Sequence, residues 1–317
     1  MTRPARKRSS GSQRRAANRP ALPMLDGVSP SAVALPSGDW PTMLDFLAER
    51  FPRFTHDDWR ERMRLGEVRD ASGAPLTPDT RYQPNSRLFY YRRLPPELPI
   101  PFEETVLFQD DWLVVADKPH FLPVTPSGRY LQETLLVRLK RKLGIDTLTP
   151  MHRIDRDTAG LVLFTIQPAT RHAYQTLFRQ REVAKYYEAI APMNNDLSMP
   201  LVYRSRLQES AAFMQMHEVA GEPNAETEIA LLETRGRLAR YALRPATGQK
   251  HQLRAQMAAL GMPIVNDLIY PVLQPEPPKG ETPDYAKPLQ LLAKAVEFTD
   301  PVTGERRHYE SSRCLKL

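Results

Sequence analysis

Three segments of the chain combine residue types that could do chemistry together. The first is Met151-His152-Arg153-Ile154-Asp155-Arg156-Asp157-Thr158-Ala159-Gly160, a turn of alternating charge just before the apolar run Leu161-Val162-Leu163-Phe164. Charged groups on a loop held by a rigid strand are a common functional arrangement. The plainer alternative is a surface turn in which Asp155 or Asp157 caps backbone donors. The second segment is Val183-Ala184-Lys185-Tyr186-Tyr187-Glu188-Ala189-Ile190. As a strand it puts Lys185, Tyr187 and Ala189 on one face and Tyr186, Glu188 and Ile190 on the other. Tyr187 beside a cation either stacks on a base or is a half-buried strand tyrosine. The third is Thr247-Gly248-Gln249-Lys250-His251-Gln252-Leu253-Arg254-Ala255-Gln256-Met257, continuing to Leu260-Gly261. Leu253, Met257 and Leu260 fall at i, i+4 and i+7, which predicts an inward-packing helix stopped by Gly261. His251, Arg254 and Ala258 share a neighbouring face. From there Arg254 either meets a carboxylate on a sheet or snorkels at the helix edge.

The elements that must position these segments follow from pattern and punctuation. Residues 41–66 read as helical up to Gly66, and residues 67–93 as short strands and turns. Together they suggest a small helix-plus-strand module over residues 26–94, which resembles the RNA-binding module found at the front of many RNA-modifying enzymes; a purely structural cap is the alternative. Leu94-Pro95-Pro96-Glu97-Leu98-Pro99-Ile100-Pro101 is a proline-rich connector and marks the boundary. Beyond it, apolar runs at 106–108 and 112–116 around Asp110-Asp111 predict a hairpin. A helix is expected over 131–143, ended by Gly144, with its cations clustered near the C-terminal end, where the helix dipole favours them. Strands over 161–165, 185–191 and 238–243 alternate with helices near 169–181 and 250–260. The expected class is α+β, with a mixed, mainly antiparallel sheet and flanking helices in residues 95–317.

Composition sets bounds on the function. The 317 residues include 31 prolines, which implies many turns, and a single cysteine, Cys314, which excludes an internal disulfide framework and suits a reducing cytoplasm. No apolar run approaches the roughly 18 residues that a membrane span needs. The seven histidines are scattered without ligand spacing, so no metal site is expected. The formal charge is +7, from 44 Lys and Arg against 37 Asp and Glu. Residues 1–25 hold seven of those cations and no acid, so the rest of the chain is formally neutral. This tail is predicted to be disordered. A solvated tail, a phosphate-contacting arm and an organellar transit peptide all fit its composition, whereas a secretory signal lacks its apolar region.

In combination and in this order, the three segments closely resemble the RluA-type RNA pseudouridine synthases. That family's H-R-L-D-x-x-T-S-G-L is matched from His152 to Leu161, with Ile154 and Ala159 as conservative departures. Its K-x-Y-x-A is matched by Lys185, Tyr187 and Ala189, and its G-x-x-H-Q-[IL]-R from Gly248 to Arg254. A later G-x-P-I-x-x-D-x-x-Y is matched by Gly261, Pro263, Ile264, Asp267 and Tyr270. Asp117-Lys118-Pro119 and the stretch 300–305 add to the similarity, which spans about residues 100–312. Gln256 stands where a histidine is common, Asn266 where a glycine is, and Leu292 where a histidine often sits; these departures bear on substrate choice.

The resemblance implies an isomerase that breaks the ribose-to-nitrogen bond of a uridine in RNA, rotates the uracil and rejoins it through carbon. No cofactor or metal is implied. Asp155 is the implied catalytic carboxylate, acting on either sugar or base, with Arg254 as its cationic partner and Tyr187 stacking on the uracil. Arg153 is expected to fill the space left by the flipped base. His152, Lys185, His251 and Gln252 are assigned with it to substrate binding. The expected partner is ribosomal RNA, with transfer RNA as the alternative, and the expected state is a cytoplasmic monomer. An inactive RNA-binding relative is the rival reading, which the presence of Asp155 opposes. A glycosidase using Asp155 and Asp157 is disfavoured, since side chains two residues apart on an extended turn diverge.

Overall fold

The computed structural model describes residues 22–92, 97–210, 215–275, 278 and 281–317. Two compact units divide the chain, Met1–Pro95 and Pro96–Leu317. Most of the basic tail, residues 1–21, lies outside the described residues.

The first unit contains β1 (Ser31–Ala34), α1 (Met43–Arg50), α2 (His56–Arg64), β2 (Val68–Asp70) and β3 (Arg87–Tyr90). Its antiparallel sheet has the order β1-β3-β2. The helical pattern read as one stretch from 41 to 66 is two helices. Pro52 lacks the N–H needed to continue α1. Thr55 then opens α2 with a capping box to Asp58, as Thr42 does for α1 with Asp45. Trp59 sits fully buried at the centre, with the rings of Phe51, Phe54 and Tyr90 at 5.3–5.6 Å.

The second unit is built on one large sheet. Its elements are β4 (Thr105–Gln109), β5 (Leu113–Lys118), α3 (Leu135–Leu143), β6 (Thr149–Pro150), β7 (Ala159–Thr165), α4 (Arg171–Gln180), β8 (Ala184–Pro192), β9 (Leu201–Glu209), β10 (Met216–Val219), β11 (Ala225–Arg235), β12 (Leu238–Pro245), α5 (Gln252–Ala259), β13 (Leu291–Thr299) and β14 (Arg306–Glu310). The strand order is β10-β9-β11-β12-β8-β13-β7-β5-β4, with β14 beside β13 and β6 beside β7. Every pairing is antiparallel except β13 with β7. This is the α+β architecture read from the sequence.

Each helix has one face of the sheet to cover. Every residue of β5 and β7 is buried, because both faces are covered. Val114, Ala116, Val162 and Phe164 pack with Leu135 and Leu139 of α3. Leu113, Val115, Leu161 and Leu163 pack with Tyr174 and Leu177 of α4 on the other face. Leu253 and Met257 of α5 pack on Ala189, Ile229, Tyr241 and Leu243. The helix expected from residue 131 starts only at Leu135, with Thr134 as its N-cap. The backbone N–H groups of Leu131, Gln132 and Glu133 donate instead to the Glu97 carboxylate at 2.8–2.9 Å.

Gly160 shows how tightly this architecture constrains the first motif. It has φ +107°, and a Cβ there would lie 2.2 Å from the Ala293 carbonyl oxygen, where β13 runs alongside β7. Only glycine fits.

Candidate active site

The loop between β6 and β7 carries Asp155; Lys118 and His120 hold its backbone, and its own His152 ties it to β7. Lys118, fully buried at the end of β5, donates from Nζ to the carbonyls of Pro119 and Arg156, each at 2.9 Å. Burial pushes its ammonium down to about 7, against the opposing pull of Asp157 and Asp155. His120 Nδ1 meets the Asp157 carbonyl at 2.7 Å. His152 accepts the Leu163 N–H on Nε2 at 3.1 Å, and its ring stacks on Phe178 of α4 at 4.4 Å. Burial drives the His152 imidazole down to about 3, so the nitrogen stays free to accept.

Asp155 and Asp157 part as their spacing requires. Asp157 folds back onto the Arg156 guanidinium at 2.9 and 3.3 Å. Burial works to raise its carboxyl, but Arg156, Arg254 and Lys118 outweigh it and hold the group below the usual carboxylate range. Asp155 turns to α5, where Arg254 Nη1 donates to its Oδ2 at 3.0 Å. Arg254 in turn is held along its other edge by Asp267, Nε to Oδ2 at 2.8 Å and Nη2 to Oδ1 at 2.7 Å. Asp267 also accepts the N–H groups of Ile269 and Tyr270. Side-chain exposure rises along this chain, from 0% at Asp267 to 3% at Arg254 and 31% at Asp155. Burial opposes the Arg254 charge, but the two carboxylates outweigh it and raise its pKa further. The accessible end of the array is therefore Asp155, hydrogen-bonded to a guanidinium that a second, buried carboxylate holds in place.

Two more groups face Asp155. His251 takes a left-handed backbone, φ +51°, directly before α5, which brings Nε2 to 3.8 Å from Asp155 Oδ2. Its Nδ1 lies 3.3 Å from the Tyr270 hydroxyl, and burial lowers its pKa. Tyr187 projects from β8 toward the α5 face, packed against the cluster that holds Leu253 and Met257. Burial raises its phenol, and the Asp155 charge adds to the rise. Lys185, two residues earlier on the same strand, donates to the Thr247 carbonyl at 2.8 Å, and burial lowers it to about 8. It clamps the turn into α5.

The structure thus brings Asp155, Arg254, Tyr187 and His251 together. It leaves Arg153 exposed at the loop surface, with no bonding partner among the described residues. Three residues expected to bind substrate are bonded within the protein: Lys185 to the Thr247 carbonyl, and His152 and Gln252 to the scaffold. His152 spends its ring on β7 and α4, as above. Gln252 is buried, and both ends of its amide are engaged inside the protein. Its Oε1 accepts from Thr247 and the Gln249 N–H, while Nε2 donates to the Glu226 carbonyl and to Thr227. The network continues from Thr227 to Gln256 and on to Ser205. Sequence reasoning missed the roles of Asp267 and Lys118, although both lie in stretches that carried the resemblance. The signal was their residue type at fixed motif positions, without a stated partner. Asn266 has φ +62°, a conformation that asparagine tolerates and that explains a position where glycine is common.

A family model described as RNA pseudouridylate synthase matches residues 112–259. The dual-specificity RNA pseudouridine synthase RluA of Haemophilus influenzae is 30% identical over 208 residues, covering 63% of this chain and 89% of that protein. An uncharacterised RNA pseudouridine synthase of Synechocystis is 28% identical over 233 residues, covering 72% and 79%. The mitochondrial tRNA pseudouridine(32) synthase of Saccharomyces cerevisiae is 32% identical over 185 residues, covering 57% of this chain and 39% of that protein. Among solved structures, human RNA pseudouridylate synthase domain containing 1 shares the fold, with a TM-score of 0.54 at 19% identity over 69% of this chain and 86% of that one.

Proposed function

The chain belongs to the RluA-type RNA pseudouridine synthases, and from that premise we propose that Asp155 is the carboxylate that acts on the target uridine. The protein is an isomerase that converts uridine in RNA to pseudouridine. The reaction exchanges a ribose–nitrogen bond for a ribose–carbon bond, with one proton leaving the carbon and one reaching the nitrogen. The observation that supports the assignment is the array Asp155–Arg254–Asp267, with its exposed end at Asp155. Arg254 pairs with Asp155 and aims it, and Asp267 keeps Arg254 in place. Tyr187 supplies the ring on which the uracil stacks, with its phenol kept protonated by burial. His251 stands beside Asp155 to meet the uridine, and Lys185 holds the turn that leads into α5.

The target base must leave its stack before it reaches Asp155, at a cost of a few kcal/mol. Arg153, exposed two residues away, fills the vacated place; a planar guanidinium suits both stacking and phosphate contact. Ribosomal RNA is the favoured substrate, because the helix-plus-strand unit ahead of the catalytic unit is read as an RNA-binding module. Transfer RNA is the alternative, which the name of the yeast relative supports. A cytoplasmic monomer fits a chain whose single cysteine, Cys314, is free. The rival reading, an inactive RNA-binding relative, has no observation in its favour.

Mapping pseudouridine across total RNA with the gene present, deleted, and restored as Asp155→Asn tests this reading. One or more sites should vanish on deletion and stay absent with the variant. A full set of sites in the deletion strain contradicts it.

A further inference from the structure

An aromatic and basic cluster lies beside the Asp155 loop, joined to it through Arg156. Ser127 and Tyr130 exchange two backbone hydrogen bonds of 3.0 Å, closing a tight turn over Gly128 and Arg129. Gly128 has φ +55° and nothing within 4 Å of where a Cβ would stand, so the tip of the turn faces open space. The turn sets the Arg129 guanidinium 5.4 Å from the Tyr130 ring centre, and Arg156 approaches the same ring at 6.0 Å. Tyr285 packs edge-on against Phe102 and Phe121 at 5.3 and 5.1 Å. Burial raises its phenol, and Tyr130, Glu133, Arg129 and Arg156 all lie near enough to act on it.

Here Asp157 compensates Arg156, but Arg129 has no carboxylate partner among the described residues. Both tyrosine rings are half-buried, with part of their surface left to solvent. Arg156 follows Asp155 directly in the chain, so whatever sits on this cluster is a neighbour of whatever sits at Asp155. A guanidinium without a carboxylate, such as that of Arg129, beside half-exposed aromatic surface suits a nucleotide, which offers a phosphate to the first and a base to the second.

We propose that Arg129, Tyr130, Arg156 and Tyr285 form a subsite for a nucleotide flanking the target uridine. Its base stacks on Tyr130 and its phosphate meets Arg129. The location of the target in this proposal rests on the reading of Asp155 given above.

The test is equilibrium binding of the full-length Asp155→Asn protein, which needs no turnover, to a labelled stem-loop carrying a mapped target uridine. Each flanking nucleotide is made abasic in turn. Tyr130→Leu should weaken binding of the intact stem-loop about tenfold, while Tyr130→Phe keeps the ring and the affinity. One abasic position should cost as much as Tyr130→Leu, with no further loss when the two are combined. Arg129→Ala, beside the open tip of the turn, should lower the salt dependence of binding by about one phosphate contact. Full additivity at both abasic positions, or unchanged affinity in Tyr130→Leu, overturns the subsite. Retained activity in Asp155→Asn would strike the catalytic assignment instead and leave this comparison readable.

Discussion

Asp267, with no exposed side-chain surface, grips Arg254 through both carboxylate oxygens, at 2.7 and 2.8 Å. The pair lies behind Asp155 and decides which way the remaining Arg254 N–H points. Asp267→Asn keeps the shape but leaves a buried guanidinium with one carboxylate instead of two. Removing one partner of a buried ion pair costs about 3–5 kcal/mol. The expected result is a loss of that order in chemical denaturation, with the single-turnover rate falling far more than RNA affinity. Wild-type rates in the folded variant would show that Arg254 needs no such anchor.

Lys118 gives a prediction in pH. In the unfolded chain its ammonium titrates near 10.5, and in the fold burial brings it to about 7. Between those values the unfolded state binds more protons, so the contribution of Lys118 to stability rises with pH across that window. Lys185, lowered to about 8, adds the same slope from there upward. Lys118→Met should therefore flatten stability against pH most clearly between 7 and 8. It also takes the donor from the Arg156 carbonyl, and a loop shifted by an ångström should lower kcat by roughly ten- to a hundredfold. Urea titrations at several pH values and single-turnover assays read the two effects separately.

Gln252→Ala separates a structural role from a substrate contact. Thr247, Thr227, the Gln249 N–H and the Glu226 carbonyl would all lose a partner in the interior. Unsatisfied buried groups cost about 1–3 kcal/mol each, so thermal denaturation should show a loss of several kcal/mol. KM for RNA should hold in the protein that remains folded. A raised KM with unchanged stability would restore Gln252 to the substrate site.

Arg153→Ala should do the reverse. The side chain is exposed, so stability should stay within about 0.5 kcal/mol of wild type. Turnover should fall more on stem-loop RNA than on unstructured RNA, because only the former holds the base in a stack. Equal losses on both substrates would remove Arg153 from base flipping.

Much of the site was legible in the sequence because its residues sit in contiguous motifs. Tyr187 and Lys185 share a strand face, and the apolar spacing of Leu253 and Met257 oriented α5 so that Arg254 reaches a carboxylate. The partner choices were not legible, since they depend on contacts distant in sequence. Asp155 and Arg254 are 99 residues apart, and Lys118 meets Arg156 across 38. His152 and Gln252 stand in the motifs beside reactive groups, yet their rings and amides turn to the scaffold. Strands β9 to β11 also escaped, because exposed Arg and Glu alternate along them with few buried residues to mark a face. Gly160 was read only as a motif letter; its need comes from β13, more than 130 residues on.

The most direct test of the account is a single-turnover assay of Asp155→Asn at saturating RNA, with the release of carbon-bound tritium from the uracil as readout. No pseudouridine should be detectable, with RNA affinity and melting temperature close to wild type. Conversion at the wild-type rate would contradict this and move the chemistry away from Asp155.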